Sequence, residues 1–245
     1  MTPPATWYNE IDSTNAEARR RAEAGEGGPL WIAARLQTAG RGRRGRAWET
    51  PTGNLAATWL GVTRKSPAEA AQVSFVAALA AGDLAASYVP SSLVRLKWPN
   101  DPMVDGRKVG GILVESGKRD DGALWLACGI GVNLAHAPVQ VERPATTLGA
   151  HLSAEHATPP KPERALEQLA AAFDRWAAVW ERDGFDPVRA AWTERAAGLG
   201  APCEARLGTE TVHGVAEALE ADGALRLRLA SGEVRRITAG DVFFG

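Results

Sequence analysis

Apolar positions along the chain follow two rhythms, and their succession predicts a sheet packed with helices, followed by a small all-β unit. Residues 14–24 read as a short helix, with Thr14 as N-cap, Glu17 reaching back in a capping box and Gly25 closing the segment. Trp31–Gln37 and Leu55–Val62 are short, apolar and rich in β-branched or aromatic residues, which predicts strands; the Gly- and Arg-rich stretch between them is expected to be a long loop. Ser66, Pro67 and Glu69 combine a cap, a proline at the first helical position and a capping glutamate. Val73, Val76, Ala77, Ala80 and Leu84 then keep helical spacing, so a helix is expected to about Tyr88.

Leu93–Trp98, Gly111–Ser116 and Ala123–Leu134 are apolar runs bounded by Pro99, Asp105-Gly106 and Asp121-Gly122, which predicts neighbouring strands of one sheet with the second turn a hairpin. Leu166, Leu169, Ala170, Phe173, Ala177 and Trp180 mark one face of a long helix, and Asp186-Pro187 opens another that ends near Gly198; both are expected to pack on the sheet. Beyond it Leu225, Leu227 and Leu229 alternate with Arg226 and Arg228, between turns at Asp222-Gly223 and Ser231-Gly232. The expected organisation is an α+β domain over residues 1–198 and a small β-barrel over 199–245.

Bulk properties narrow the function classes. Lys plus Arg number 28 against 29 Asp plus Glu, a net charge of -1 that gives no general attraction to nucleic acid or anionic lipid, so any anion site has to be local. Two cysteines, Cys128 and Cys203, are too few for a disulfide framework or a four-ligand zinc site and suit a reducing cytoplasm. The N-terminal segment lacks the basic start and apolar stretch of a signal peptide, and no apolar run approaches a membrane span.

The loop Gly40–Arg46 reads GRGRRGR and satisfies G-x-G-x-x-G, the dinucleotide fingerprint. That fingerprint should open a helix and be followed about 20 residues later by an acid for the ribose. Here Pro51 and Gly53 break any helix, and no acid lies between Glu49 and Glu69. Gly117-Lys118 fails as a P-loop, with Ile112 where the first glycine belongs and Arg119 where Ser or Thr should stand. What remains is Arg41, Arg43, Arg44 and Arg46 in a loop with no acid to neutralise them, spaced by glycines that let the backbone approach a ligand closely. Taken alone such a run reads first as a solvated surface loop or a nucleic-acid patch; with the neutral remainder of the chain and the motifs below it is expected to hold an anion.

The wider pattern is specific. Gln37–Trp48 reads QTAGRGRRGRAW, and with Ser13-Thr14-Asn15 upstream and KWPND (Lys97–Asp101), GRKVGGIL (Gly106–Leu113) and GIGVN (Gly129–Asn133) downstream it resembles the biotin–protein ligases, five motifs in family order over residues 13–133. The resemblance implies a class II aminoacyl-tRNA synthetase-like catalytic fold of the biotin–lipoate ligase type with an SH3-like C-terminal barrel. It implies ATP and Mg2+ as cofactors, biotin as substrate, and the biotin carboxyl carrier protein of a carboxylase as partner. By the same resemblance, Arg41, Gly42 and Arg43 contact biotin, Lys108 sits beside its carboxylate and the adenylate, and Arg43 and Lys108 are the catalytic pair.

Elementary chemistry fits that assignment. Joining a carboxylate to the α-phosphate of ATP brings anions together, so the site has to supply positive charge. Biotin's ureido group is a compact donor–acceptor pair, for which Ser13, Thr14, Asn15 and Gln37 offer matching hydroxyls and amides, although the first three also suit plain helix capping. Gly110 and Gly111 let the bicycle lie against backbone. Arg44, Arg46, Trp48, Lys97, Asn100, Asp101 and Asn133 form the expected nucleotide set, with Asp101 the magnesium contact, while Asn100-Asp101 also reads as a turn and Lys97 as a structural residue. Two rivals are a lipoate–protein ligase and a DNA-binding repressor; the STN, GRGRRGR and KWPND combination favours biotin, and 12 residues before Ser13 are too few for a helix-turn-helix domain. Neither DNA nor membrane is an expected partner, and monomer and homodimer both stay open.

Overall fold

The computed structural model describes residues 3–139, 144–208 and 210–244. Its central sheet has five strands in the order β1 (Ala5–Tyr8), β2 (Leu30–Ala34), β3 (Leu55–Thr63), β8 (Leu124–Val132), β7 (Gly110–Lys118). Only β1 and β2 pair in parallel; the other neighbours are antiparallel. The strand β4 (Val94–Lys97) leaves this sheet and pairs with β5 (Asp101–Val104), which pairs with β6 (Arg107–Lys108). The expectation that the run at Leu93–Trp98 lies in one sheet with the next two is therefore corrected. An apolar run marks a buried strand and says nothing of which neighbour its backbone bonds to. Asp105-Gly106, both at positive φ, closes the β5–β6 hairpin, and the turn at Asp121-Gly122 closes the hairpin of β7 and β8.

Both faces of the central sheet are covered, and strand alternation sorts the side chains between them. On one face lies α1 (Thr14–Glu23), whose Ala18 and Ala22 pack with Leu30, Ile32, Leu60, Trp125 and Ala127. On the other lie α3 (Val73–Ala86) and α4 (Pro162–Asp183), against Trp31, Ala33, Leu126, Cys128 and Ile130. The Ser66 capping box forms as expected, but the helix it starts, α2 (Pro67–Ala70), is interrupted before α3 resumes. Nearly every residue of α3 is buried because it is sandwiched between sheet and α4, where its many alanines allow close approach. The helix α5 (Phe185–Glu194) does not pack on the central sheet as expected. Its aromatic residues Phe185 and Trp192 close instead on Phe75 of α3, with ring centroids 5.2 and 5.5 Å away.

The C-terminal residues form a second antiparallel sheet, β12 (Val234–Ile237), β11 (Leu225–Arg228), β10 (Thr211–Leu219), β9 (Pro202–Arg206), β13 (Asp241–Phe244), in that order. It shares one continuous core with the helices: Ala205, Ala216, Leu225, Leu227 and Val242 belong to the same apolar cluster as α3 and α4. Trp98 Nε1 fastens it beside the β4 region by donating to the Gly223 carbonyl at 3.0 Å, and the segment leading into it is held there by Leu96 N to Arg195 O and Ala197 N to Leu96 O, both at 2.8 Å. This docking brings β13 to the glycine–arginine loop. Among the described residues, no helix is long and apolar enough to cross a membrane.

Candidate functional site

The cavity lies on the α1 face, where the sheet runs out from under the helix. Along β8 the residues facing α1 are Trp125, Ala127, Gly129 and Gly131: two that pack under the helix, then two that present no side chain at all. Two rows cross the sheet at those glycines. In the first, Gly129 is flanked by Thr58 on β3 and Leu113 on β7; in the second, Gly131 is flanked by Ala56 and Gly111.

Asn15 occupies the first row. A Cβ on Gly129 would collide with the Asn15 amide, so the glycine is what lets this side chain lie flat on the sheet. Its Nδ2 donates to the Leu113 carbonyl at 3.2 Å and to the Glu115 carboxylate at 2.8 Å, while its Oδ1 accepts from the Thr58 hydroxyl at 2.7 Å. The neighbouring Thr14 is turned inward: its backbone N and its Oγ1 donate to Gln37 Oε1 at 2.8 and 3.1 Å, and Gln37 Nε2 donates to Thr50 Oγ1. The N-cap of α1 is therefore Ser13, whose hydroxyl faces Ala16 N, and not Thr14 as expected; Glu17 pairs instead with Arg20, Arg21 and Tyr8. Both residues are good caps, and the tertiary partners of Thr14 decide between them.

Trp48 occupies the second row. Its indole fills the space that a Cβ on Gly131 would need and lies 3.1 Å from where one on Gly111 would fall. The loop before it is ordered by its own backbone: Trp48 N bonds Gly40 O at 2.9 Å, Gly42 N bonds Arg46 O at 2.8 Å, and Arg43–Gly45 make a short 3-10 turn with Arg44 left-handed at φ 57°. The charge that this loop lacks comes from the far end of the chain. Asp241 on β13 takes Arg46 Nη2 at 2.6 Å and Arg44 Nη1 at 3.4 Å, with Arg43 Nη1 at 3.9 Å. Arg43 also donates to Asn100 Oδ1 at 3.0 Å and to the Gly240 carbonyl at 2.8 Å.

A third cluster closes the site. Asp101 is buried between two ammonium groups, Lys108 at 2.5 Å and Lys97 at 2.8 Å. Burial alone would push its carboxyl up, but the two lysine charges and their hydrogen bonds outweigh this and hold it well below the usual carboxylate range. Lys108 Nζ also lies 5.7 Å from the centre of the Trp48 ring. Asn100 Nδ2 donates to the Ile112 carbonyl, and Asn133 Nδ2 to Thr146 O at 3.2 Å.

These groups surround one cavity of about 400 Å3. Of the expected residues, Ser13, Thr14, Asn15, Gln37, Arg41, Gly42, Arg43, Arg46, Trp48, Asn100, Asp101, Lys108, Gly111 and Asn133 line it. Three expected residues do not. Gly110 points to the opposite face by the alternation of β7, against the Gly131 carbonyl and Pro102. Arg44 turns outward to Asp241 and Arg206 O. Lys97 is buried behind Asp101 and reaches the Val242 carbonyl. Asp101, the expected magnesium contact, has both oxygens held by ammonium groups, and among the described residues no group of three His, Cys, Asp or Glu could hold a metal. Among the described residues, Asp101 is thus held between lysines rather than within a set of carboxylates. Sequence reasoning missed Thr58, Glu115, Gly129, Gly131 and Asp241; only the glycines, two apart in GIGVN, carried a readable signal.

The fold recurs in known proteins. Residues 8–133 match the Biotin/lipoate A/B protein ligase family, and residues 198–245 the Biotin protein ligase C terminal domain. The chain belongs to the biotin/lipoate A/B protein ligase family. Within it, a biotin–acetyl-CoA-carboxylase ligase of Paracoccus denitrificans is 46% identical over 236 residues, which span 96% of this chain and 98% of that protein. A ligase of the same name from Mycobacterium tuberculosis is 32% identical over 95% of this chain and 86% of its own length. The solved structure of a biotin protein ligase from Aquifex aeolicus in complex with biotin and ATP shares the fold, with a TM-score of 0.77 and 24% identity, covering 99% of this chain and 98% of that one.

Two expectations follow from the geometry. Thr58 is wholly buried behind Thr14 and Asn15 and its hydroxyl is within 2.8 Å of both. Thr58→Val removes that hydroxyl without changing shape and leaves polar atoms of Asn15 and Thr14 short of a partner, a loss of about 1–3 kcal/mol. The expected result is biotin binding weakened roughly tenfold by calorimetry, with Thr58→Ser restoring most of it; an unchanged affinity would remove Thr58 from the network. Cys128 is fully buried on the core face, and burial pushes its thiol far up. It is expected to resist iodoacetamide at pH 8 in the native protein and to react only after unfolding; labelling of the folded chain at Cys128, read by peptide mass spectrometry, would contradict this.

Proposed function

We propose that this chain is a biotin–protein ligase that makes biotinyl-5'-AMP from biotin and ATP and passes biotin to a lysine of a biotin carboxyl carrier protein. One observation carries the reading: a single cavity with a hydrogen-bonding end and a cationic end, joined along a glycine-bearing strand on which Asn15 and Trp48 lie. Ser13, Asn15 and the Thr14–Gln37 pair offer fixed donors and acceptors that suit a buried ureido group. Arg43, Arg46 and Lys108 offer charge where a carboxylate and a phosphate have to meet. Gly129 and Gly131 let Asn15 and Trp48 lie against the strand between the two ends.

In the first step an oxygen of the biotin carboxylate attacks the α-phosphorus of ATP, and pyrophosphate leaves with the electrons of the broken bond. In the second, the carrier lysine's amine attacks the acyl carbon, AMP departs and one proton is released. No protein nucleophile is needed, which agrees with two buried cysteines. The chain's contribution is position and charge: Lys108 neutralises the approaching anions, the arginine loop covers them, and Trp48 with Asn133 flanks the nucleotide. Water competes for the anhydride between the steps, and a covering loop lowers that leakage. Magnesium, on this reading, arrives on the phosphate oxygens of the nucleotide. A cytoplasmic setting supplies both ATP and the reducing conditions that two free thiols suit.

The test is incubation of purified protein with ATP, magnesium, biotin and a biotin carboxyl carrier domain, read by intact mass, with lipoate and a lipoyl domain in parallel. Biotin added to one carrier lysine is the expected result. Lipoate transfer in its place, or biotin-dependent ATP–pyrophosphate exchange indistinguishable from background, would overturn the assignment.

A further inference from the structure

The cationic mouth of the cavity is built around an anion that belongs to the protein. The Asp241 side chain is 7% exposed, whereas those of Arg44 and Arg46, which close on it, are 40% and 53% exposed. The carboxylate is thus the fixed member and the arginines wrap it, with Arg43 tied to the adjoining Gly240 carbonyl. A buried carboxylate needs such partners. Three guanidinium groups crowded together likewise need an anion between them, and Asp241 supplies one. Arg43 and Arg46 thus line the cavity while being held in place.

We propose that Asp241 is a positioning residue for nucleotide binding: it gathers the arginines of the loop at the cavity mouth before a triphosphate arrives. The proposal rests on the reading above only in naming a nucleoside triphosphate as the ligand. Its physical content is preorganisation. Ordering long side chains at the moment of binding weakens association, and Asp241 has already ordered these three. It also gives the C-terminal sheet a task in the reaction, since the carboxylate that meets Arg44 and Arg46 comes from β13.

Asp241→Asn keeps shape and removes charge. In biotin-dependent ATP–pyrophosphate exchange the full chain carrying it is expected to show a KM for ATP raised about tenfold, from three side chains each less ordered, with kcat within about threefold. Biotin affinity without nucleotide should stay within about twofold, because the Asn15 row is untouched. Asp241→Glu, which keeps the charge, is expected to recover much of the KM, and it reads the same effect should the Asn variant fold poorly. An independent arm needs no activity: trypsin has to take an arginine side chain, so cleavage within 41–46, mapped by mass spectrometry, is expected to be several-fold faster in the Asn variant. An unchanged or lower KM for ATP, or equal cleavage rates, overturns the proposal. Absence of exchange in the parent protein would refute the ligase reading, while the cleavage comparison would still decide whether Asp241 holds the loop.

Discussion

Lys108→Met is expected to slow adenylate formation by about 10²- to 10³-fold, the range found when one fixed charge-stabilising donor is removed from an active site. Lys108 and Lys97 both pair with Asp101, but only Lys108 also faces the cavity. Negative charge gathers on the phosphoryl oxygens as a carboxylate attacks, and an ammonium held in a partly enclosed site acts on it more strongly than in water. Methionine keeps much of the stem that lies by Trp48 and removes the ammonium group with its charge and its bond to Asp101. A second consequence separates this from a simple loss of folding. In the parent, the depressed carboxyl of Asp101 contributes stability above the ordinary carboxylate range, and that contribution is lost as pH falls through its folded value. With Lys108 gone the folded value rises, so acid unfolding should begin at a higher pH while stability near neutrality falls by about 1–3 kcal/mol. Exchange kinetics well below the melting temperature, with urea unfolding at several pH values, tests both; a rate within threefold of the parent would deny Lys108 its role.

Much of this was legible in the residues, and the failures have physical causes. Ser66-Pro67-Ala68-Glu69 announced its helix because a capping box is local: every atom that makes it lies within four residues. The choice between Ser13 and Thr14 as cap was not legible, because Gln37 and Thr58, distant in sequence, claim the Thr14 hydroxyl. The run Val94–Lys97 was visible as a strand, but its pairing with β5 is a property of backbone partners, which apolar patterns do not encode. Gly110 and Gly111 are neighbours in sequence, but strand alternation sends them to opposite faces, so only Gly111 reaches the cavity. Asp241 carried no signal at all, since a lone acid near a chain end gains meaning only when the C-terminal sheet docks beside residue 43.

The second large effect is expected from the smallest change. Gly131→Ala adds one methyl, and it falls inside the indole of Trp48. The strand cannot give way, because Gly131 is hydrogen-bonded between β3 and β7 in the middle of the sheet. The indole must therefore leave its row, and it is tied through Trp48 N and Gly40 O to the base of the arginine loop. Overpacking of this kind costs about 1–3 kcal/mol, so the expected loss in kcat/KM for ATP is about tenfold to hundredfold. Biotin binding alone should change much less, since Asn15 and Thr58 lie in the row two residues away. The decisive comparison is a double variant. If the methyl acts by expelling the indole, Gly131→Ala combined with Trp48→Ala should be no worse than the more damaging single change, because both remove the same wall from the nucleotide end. Losses that multiply would mean that the added methyl acts on something other than Trp48, and the row it forms with Gly111 would no longer account for the shape of the site.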